Sequence, residues 1–158
     1  TIQTMEFWFT VFDPNTWDTL FNSDVVTVST SAAGTFAQAF DSAGEVVFDQ
    51  DGIKVVARGI DLTDEIWGPQ VLFFIENDSA QDVTVQMTDT SVNGFMIDPI
   101  FSCQVTPGKV AYTSATFFTD DLEENGIAAI ETFEFRMHIV DSDSWNTLKD
   151  SDPVTLTF

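Results

Sequence analysis

The stretch TFEFRMHIVDSDSWNTLKDSDPVTLTF, residues 132–158, decides the fold, because residues 4–30, TMEFWFTVFDPNTWDTLFNSDVVTVST, are an imperfect copy of it. The two stretches align without a gap at a constant offset of 128 residues, from position 4 to position 132. A match of this length at a fixed offset indicates a duplicated structural unit. Coinciding pairs include Glu6/Glu134, Phe7/Phe135, Asp13/Asp141, Trp17/Trp145, Thr19/Thr147, Leu20/Leu148, Ser23/Ser151, Asp24/Asp152, Val26/Val154 and Thr27/Thr155.

Each copy has the residue pattern of a β-hairpin. In residues 132–158, apolar and polar side chains alternate on both sides of a loop rich in Asp, Ser and Asn. A period of two residues is typical of a strand that buries one face. The pattern therefore predicts one apolar, inward face per hairpin, with these inward residues: Met5, Phe7, Phe9 and Val11 in the first copy, and Phe133, Phe135, Met137 and Ile139 in the second.

The first copy differs from the second in the polarity of two positions. Trp8 stands where the second copy has Arg136, and Phe21 stands where it has Lys149. We interpret both as residues of the outer face, so that the first hairpin is expected to be covered on both faces.

The rest of the chain predicts a sandwich. Residues 31–46 are rich in small residues and read as a linker, while residues 47–158 hold seven or eight strand patterns about a dozen residues apart. Asn93-Gly94 is a strong hairpin signal, and Asp120–Asn125 followed by Gly126 predicts one short helical turn. The expected fold is all-β: an immunoglobulin-like antiparallel β-sandwich at 47–158, preceded by an extra β-hairpin at 1–30.

Composition narrows the function classes. The chain of 158 residues carries a formal charge of -21, a field that repels nucleic acid and anionic lipid. No apolar run is long enough to span a membrane, and there is no basic-then-apolar signal segment. Cys103 has no partner for an internal disulfide and is expected to be a small core residue. Because the sequence begins with Thr1, we expect a processed product or part of a longer polypeptide.

Several segments of the body resemble a known repeated domain. They are DQDGIKVVARGID, WGPQVLFFIEN, VTVQMTDTSVNGFMIDPIFSCQVTPGK, DDLEENGI and the stretch at 132–158. Together they are similar to repeated immunoglobulin-like domains of unknown function from surface or secreted proteins of Gram-positive anaerobic bacteria. The resemblance covers residues 47–158, and the first hairpin resembles the end of a preceding copy. It implies an extracellular location, secreted or at the cell surface, and carries over no catalytic or binding residues.

The chemistry-bearing residues do not predict an enzyme. The chain has one histidine, His138, and one cysteine, Cys103, with no nucleophile motif beside either. No cofactor is expected, with calcium as the alternative, because carboxylate oxygens are its ligands and four aspartates crowd one loop. Short Asp side chains also cap turns, which is the competing interpretation. The four aspartates are Asp141, Asp143, Asp150 and Asp152.

Aromatic residues raise carbohydrate binding as a second ligand hypothesis, since sugars stack on exposed rings. Trp17 and Trp145 occupy equivalent positions of the repeat, which favours a structural role for that pair. The other candidates are Trp8, Trp67 and Tyr112.

The first hairpin supplies the leading functional hypothesis. A lone hairpin with an apolar face is not stable in water and needs a partner layer. We expect a structural or adhesion module whose N-terminal hairpin docks on a sandwich, in the same chain or another, through strand donation or domain swapping. The partner would be a second copy or a neighbouring repeat domain. The expected docking residues are Phe7, Trp8, Phe9 and Phe21.

Overall fold

The computed structural model describes residues 1–64 and 66–158 and divides the chain into two units, Thr1–Asp41 and Ser42–Phe158. The first strand of the second unit begins at Glu45, ahead of residue 47. The segment after the first hairpin starts with turns: Ala33 N–H donates to Thr30 O at 3.1 Å and Thr35 N–H to Ala32 O at 3.1 Å.

The first unit is one long antiparallel hairpin with an interruption in each arm. Its outer section pairs β1 (Thr4–Phe7) with β4 (Val26–Ser29), and its inner section, next to the turn, pairs β2 (Thr10–Phe12) with β3 (Thr19–Asn22). Residues 13–18 make the turn, and the strand interruptions face each other at Phe9 and Ser23.

The second unit consists of strands in two antiparallel sheets, plus one short helix, α1 (Thr119–Glu124). In chain order the strands are β5 (Glu45–Gln50), β6 (Ile53–Asp61), β7 (Gln70–Asn77), β8 (Val83–Val92), β9 (Phe95–Met96), β10 (Cys103–Val105), β11 (Lys109–Thr116), β12 (Thr132–Asp141), β13 (Thr147–Asp150) and β14 (Val154–Thr157). One sheet has the order β11-β7-β6-β5. The other has the order β10-β8-β12-β13, with β14 also paired to β12 and β9 to β8.

The two sheets share one core, which makes the second unit a β-sandwich. Phe73 of β7 meets Phe135 of β12 edge to face, with ring centroids 6.1 Å apart. Phe117, which follows β11, meets Phe133 of β12 at 5.0 Å. All four rings are buried, and edge-to-face pairs add to the free energy gained by burying apolar area. The predicted all-β antiparallel sandwich is confirmed, while its immunoglobulin type stays a prediction.

The local signals also appear in the structure. Asn93 and Gly94 have φ of 51° and 85° and connect β8 to β9, as a tight hairpin turn requires. Helix α1 ends at Asn125, and Gly126 follows with φ 70°. Its Leu122 is buried and contributes to the core. The short helical turn predicted at residues 120–125 is confirmed, since α1 spans Thr119–Glu124.

Candidate functional site: the N-terminal hairpin

The two hairpins have the same strand register. Met5 pairs with Val28 in the first hairpin. Phe133 pairs with Leu156 in the second hairpin, and each of these residues lies 128 positions after its counterpart in the first. Every other register pair of β1 with β4 and of β2 with β3 has its counterpart in β12 with β14 and β13. The two matching stretches of sequence therefore form hairpins of one common register.

A serine holds the strand interruption in both hairpins. Ser23 N–H donates to Phe9 O at 2.8 Å, and Phe9 N–H donates to Ser23 Oγ at 2.9 Å. In the second hairpin, Ser151 N–H donates to Met137 O at 2.9 Å, and Met137 N–H donates to Ser151 Oγ at 2.8 Å. The hydroxyl replaces a ladder acceptor that the bulged strand cannot supply. We did not predict this role, although the identity of both serines in the repeat is a usable signal.

An aspartate caps the turn of both hairpins. Asp13 and Asp141 each accept backbone N–H groups two and three residues later through Oδ1, the pattern of an Asx turn. The donors are Asn15 at 2.7 Å, Thr16 at 3.3 Å, Asp143 at 3.2 Å and Ser144 at 2.8 Å.

A tryptophan completes each of these turns in a left-handed backbone conformation. Trp17 and Trp145 have φ of 61° and 59°, and their N–H groups donate to Asp13 O and Asp141 O, both at 2.9 Å. Both side chains are exposed. Their equivalent geometry supports a role in the turn, and carbohydrate stacking on them stays a hypothesis.

The two hairpins differ in what surrounds them. In the second, β12 pairs with β8 along its other edge, and its inward residues Phe133 and Met137 are 0% exposed. In the first, the equivalent residues Met5 and Phe9 are 43% and 59% exposed. Within the first unit, β1 and β2 pair only with β4 and β3. The first hairpin thus presents a face and an edge of the kind that the second hairpin buries.

The register corrects the expected position of one docking residue. Phe21 pairs with Val11, and directly opposed residues of an antiparallel pair lie on the same face. Phe21 therefore belongs to the inward face, while Trp8 lies between Phe7 and Phe9 and points the opposite way. The outer-face interpretation was wrong for Phe21 because it counted positions along the sequence and ignored the register across the hairpin.

The two divergent positions of the second hairpin are charged and paired. Arg136 Nε lies 3.2 Å from Asp89 Oδ2. Lys149 Nζ lies 3.1 Å from Asp51 Oδ2, which sits in the turn between β5 and β6 of the facing sheet. A cavity of about 210 Å³ opens beside Lys149 and is lined by Phe48, Gln50, Asp51, Ile53, Ser79, Gln81 and Leu148.

The four candidate calcium ligands are not brought together. Among residues 1–64 and 66–158, no group of three or more His, Cys, Asp or Glu side chains is close enough to hold a metal ion. Asp141 caps its turn, and hydrogen bonds from Ser144 and Asp143 lower its carboxyl pKa. Asp150 Oδ1 lies 2.6 Å from His138 Nδ1. The remaining two, Asp143 and Asp152, are exposed.

The single histidine and the single cysteine lie on different strands of the same sheet. His138 is on β12, on the outer side as expected, beside Asp150. Cys103 is on β10, is half-buried against the core, and burial raises the pKa of its thiol. A raised pKa makes a thiol less nucleophilic at neutral pH.

No helix of the described part of the chain is long and apolar enough to cross a membrane. No family model, curated protein or solved structure matches this chain.

Proposed function

We propose that this protein is a non-catalytic structural or adhesion module of the bacterial cell surface or of a secreted protein. Its N-terminal hairpin docks on a β-sandwich, in cis or in trans, by strand donation or by domain swapping. The observation that carries the proposal is that this hairpin repeats the register and bulge of residues 132–158 while exposing Met5 and Phe9.

A hairpin without a partner has two unfavourable properties, low stability and an unpaired strand edge, and both favour docking. A two-stranded hairpin is at best marginally stable in water without a second layer. Within the first unit, the edge of β1 and β2 away from β4 and β3 is not paired with another strand, and backbone groups at such an edge template the addition of a strand. A sandwich that covers the face and pairs with the edge removes both unfavourable properties at once.

The high negative charge fits this kind of module. At -21, copies of the chain repel one another at long range. Apolar contact and strand pairing at the hairpin then supply specificity, because the charge field opposes unspecific association.

The experiment compares the whole chain with two single variants by light scattering over a concentration series. Phe9→Asp places a charge on the inward face of the hairpin, and the matched control Thr10→Asp places one on the outer face. Hydrogen exchange of the hairpin amides is measured on the same samples.

For docking in trans, we expect the wild type and Thr10→Asp to associate and Phe9→Asp to be monomeric. For docking in cis, we expect a monomer whose hairpin amides are protected in the wild type and exchange freely in Phe9→Asp. A monomeric wild type with freely exchanging hairpin amides would contradict the proposal.

A further inference from the structure

We infer that the acceptor of the N-terminal hairpin is another antiparallel sandwich of the same architecture as residues 42–158 whose terminal hairpin position is vacant. The acceptor also lacks the two acidic side chains that this sandwich carries at Asp51 and Asp89. This inference rests on the proposed docking function and specifies its partner.

The inward face of the hairpin has the residues that such an acceptor needs. Six inward positions are apolar in both copies, and in the second copy most of them are buried between the sheets. Hydrophobic residues of similar volume substitute for one another in a core at little cost. The pairs are Met5/Phe133, Phe7/Phe135, Phe9/Met137, Val11/Ile139, Val26/Val154 and Val28/Leu156.

The edge of β1 and β2 that faces away from β4 and β3 indicates where a strand of the acceptor would pair. In the second hairpin, Met137 pairs with Met87 and Ile139 with Val85 of β8. Phe9 and Val11 are the equivalents of these two β12 residues. An acceptor strand like β8 therefore extends the sheet from the edge of β1 and β2, in the register that β12 already uses.

The sandwich of this chain has no vacancy of this kind. Residues 132–158 already fill the position, pairing with β8 and covering the facing sheet. Insertion of the first hairpin would expose one apolar face while burying an equivalent one, so the net gain in buried area is small. A second copy of this chain is consequently the weaker acceptor, engaged at high concentration by displacing residues 132–158, and a sandwich with an empty position is the stronger one.

The two positions at which the hairpins differ in polarity, Trp8/Arg136 and Phe21/Lys149, indicate the chemistry of the acceptor surface. Arg136 and Lys149 each meet a carboxylate, of Asp89 and Asp51. Trp8 and Phe21 would leave those carboxylates, whose side chains are 73% and 74% exposed, without a cation. The matching acceptor is neutral or apolar there, and the cavity beside Lys149, with Phe48 and Ile53 in its wall, has room for a ring.

The test uses a fusion in which residues 42–131 replace residues 1–3, so that Glu131 of the added segment is joined directly to Thr4 of the native chain. The junction reproduces the natural one between Glu131 and Thr132, because Thr4 is the equivalent of Thr132. We expect the added segment to fold as a second sandwich closed by residues 4–30, with protected amides on its copy of β8. The concentration-dependent association expected for the native chain should be absent from the fusion, because the hairpin is then occupied.

A control fusion replaces residues 4–30 by residues 132–158, so that both sandwiches close with the same hairpin. If this control forms two sandwiches and the test fusion leaves the added segment unprotected, the inference is wrong. The proposed docking function fails separately, in the light-scattering and exchange experiment on the native chain, which contains no added segment.

The acidic positions are tested within the same fusion. Asp51→Asn together with Asp89→Asn in the added segment should raise the melting temperature of that sandwich slightly, by about 1 to 2 °C, because both carboxylates are exposed. The same pair in the native sandwich should lower its melting temperature, because it removes the partners of Lys149 and Arg136. Asparagine tolerates the positive φ at both positions, 53° and 52°. Equal effects in the two sandwiches would overturn the acceptor chemistry inferred here.

Discussion

Ser151 Oγ accepts the backbone N–H of Met137 at 2.8 Å and donates to the backbone carbonyl of Asp152 at 2.6 Å. This one hydroxyl joins the two arms of the terminal hairpin where the strand ladder is interrupted. Both Ser151 and Met137 are buried, so water does not readily replace the bond. The same bond joins Phe9 to Ser23 in the first hairpin, where the bond is exposed.

Replacing this hydroxyl should destabilise the sandwich. Ser151→Ala leaves the buried N–H of Met137 without an acceptor, at a cost of about 1 to 3 kcal/mol in the free energy of unfolding. Ser23→Ala is the matched control and should leave the unfolding midpoint of the sandwich unchanged. Urea unfolding of both variants measures the difference, and an equal loss in the two would contradict the expected contrast.

Asn93 is expected to stabilise the sandwich in two separate ways, through its side-chain hydrogen bonds and through its backbone conformation. Its Oδ1 accepts Glu131 N–H and Thr132 N–H, both at 2.9 Å, and its Nδ2 donates to Ala129 O at 2.8 Å. Asn93→Gly removes these bonds but keeps φ at 51° accessible. We expect it to cost about 1 to 2 kcal/mol.

Asn93→Ala should cost about 1 kcal/mol more than Asn93→Gly, because alanine is strained at positive φ. Chemical unfolding of both variants gives the two contributions by difference. Equal losses would mean that the turn changes its conformation in the variants.

Acid should weaken the turn of the terminal hairpin through Asp141. Hydrogen bonds from Ser144 and Asp143 hold the pKa of this carboxyl below its ordinary value of 3.8. The ionised form is therefore favoured on folding, and its stabilising contribution is present above the ordinary pKa. That contribution is lost as the pH falls through the lowered pKa of the folded state.

Melting temperatures measured from pH 6 downwards should consequently fall less steeply for Asp141→Asn than for the wild type. Ser144→Ala, which removes one donor and keeps the carboxyl, should lie between them. A slope unchanged in Asp141→Asn would show that this carboxyl does not carry the acid sensitivity.

Calcium should leave the melting temperature unchanged. A ligand that binds only the folded state raises its stability, yet Asp141 Oδ1 is already occupied by Ser144 and Asp143 donors. Asp150 lies against His138. Thermal unfolding with and without calcium, with magnesium as the control, checks this. A rise specific to calcium would support the metal-binding alternative.

The alternation of apolar and polar residues predicted which side chains of a single strand point into the core. The register between strands decided which residues of neighbouring strands share a face. The alternation in residues 132–139 predicted Phe133 and Met137 as core residues, which their burial confirms. Phe21 was assigned to the wrong face because its position depends on its pairing with Val11 across the hairpin. The carboxylates near residue 141 appeared clustered along the chain, but short-range capping bonds and strand pairing direct them to different partners.

The amino-acid sequence by itself determined the duplicated hairpin, the alternation of its strands, the Asn93-Gly94 turn and the end of the short helix at Gly126. These features depend on local conformational preference and on a repeat visible in one dimension. Only the tertiary structure decided that β8 and the facing sheet cover one copy, while Met5 and Phe9 of the other copy are exposed and Phe7 and Val11 are half-buried. Burial is a property of non-local contacts, so two nearly equal hairpins differ through their surroundings.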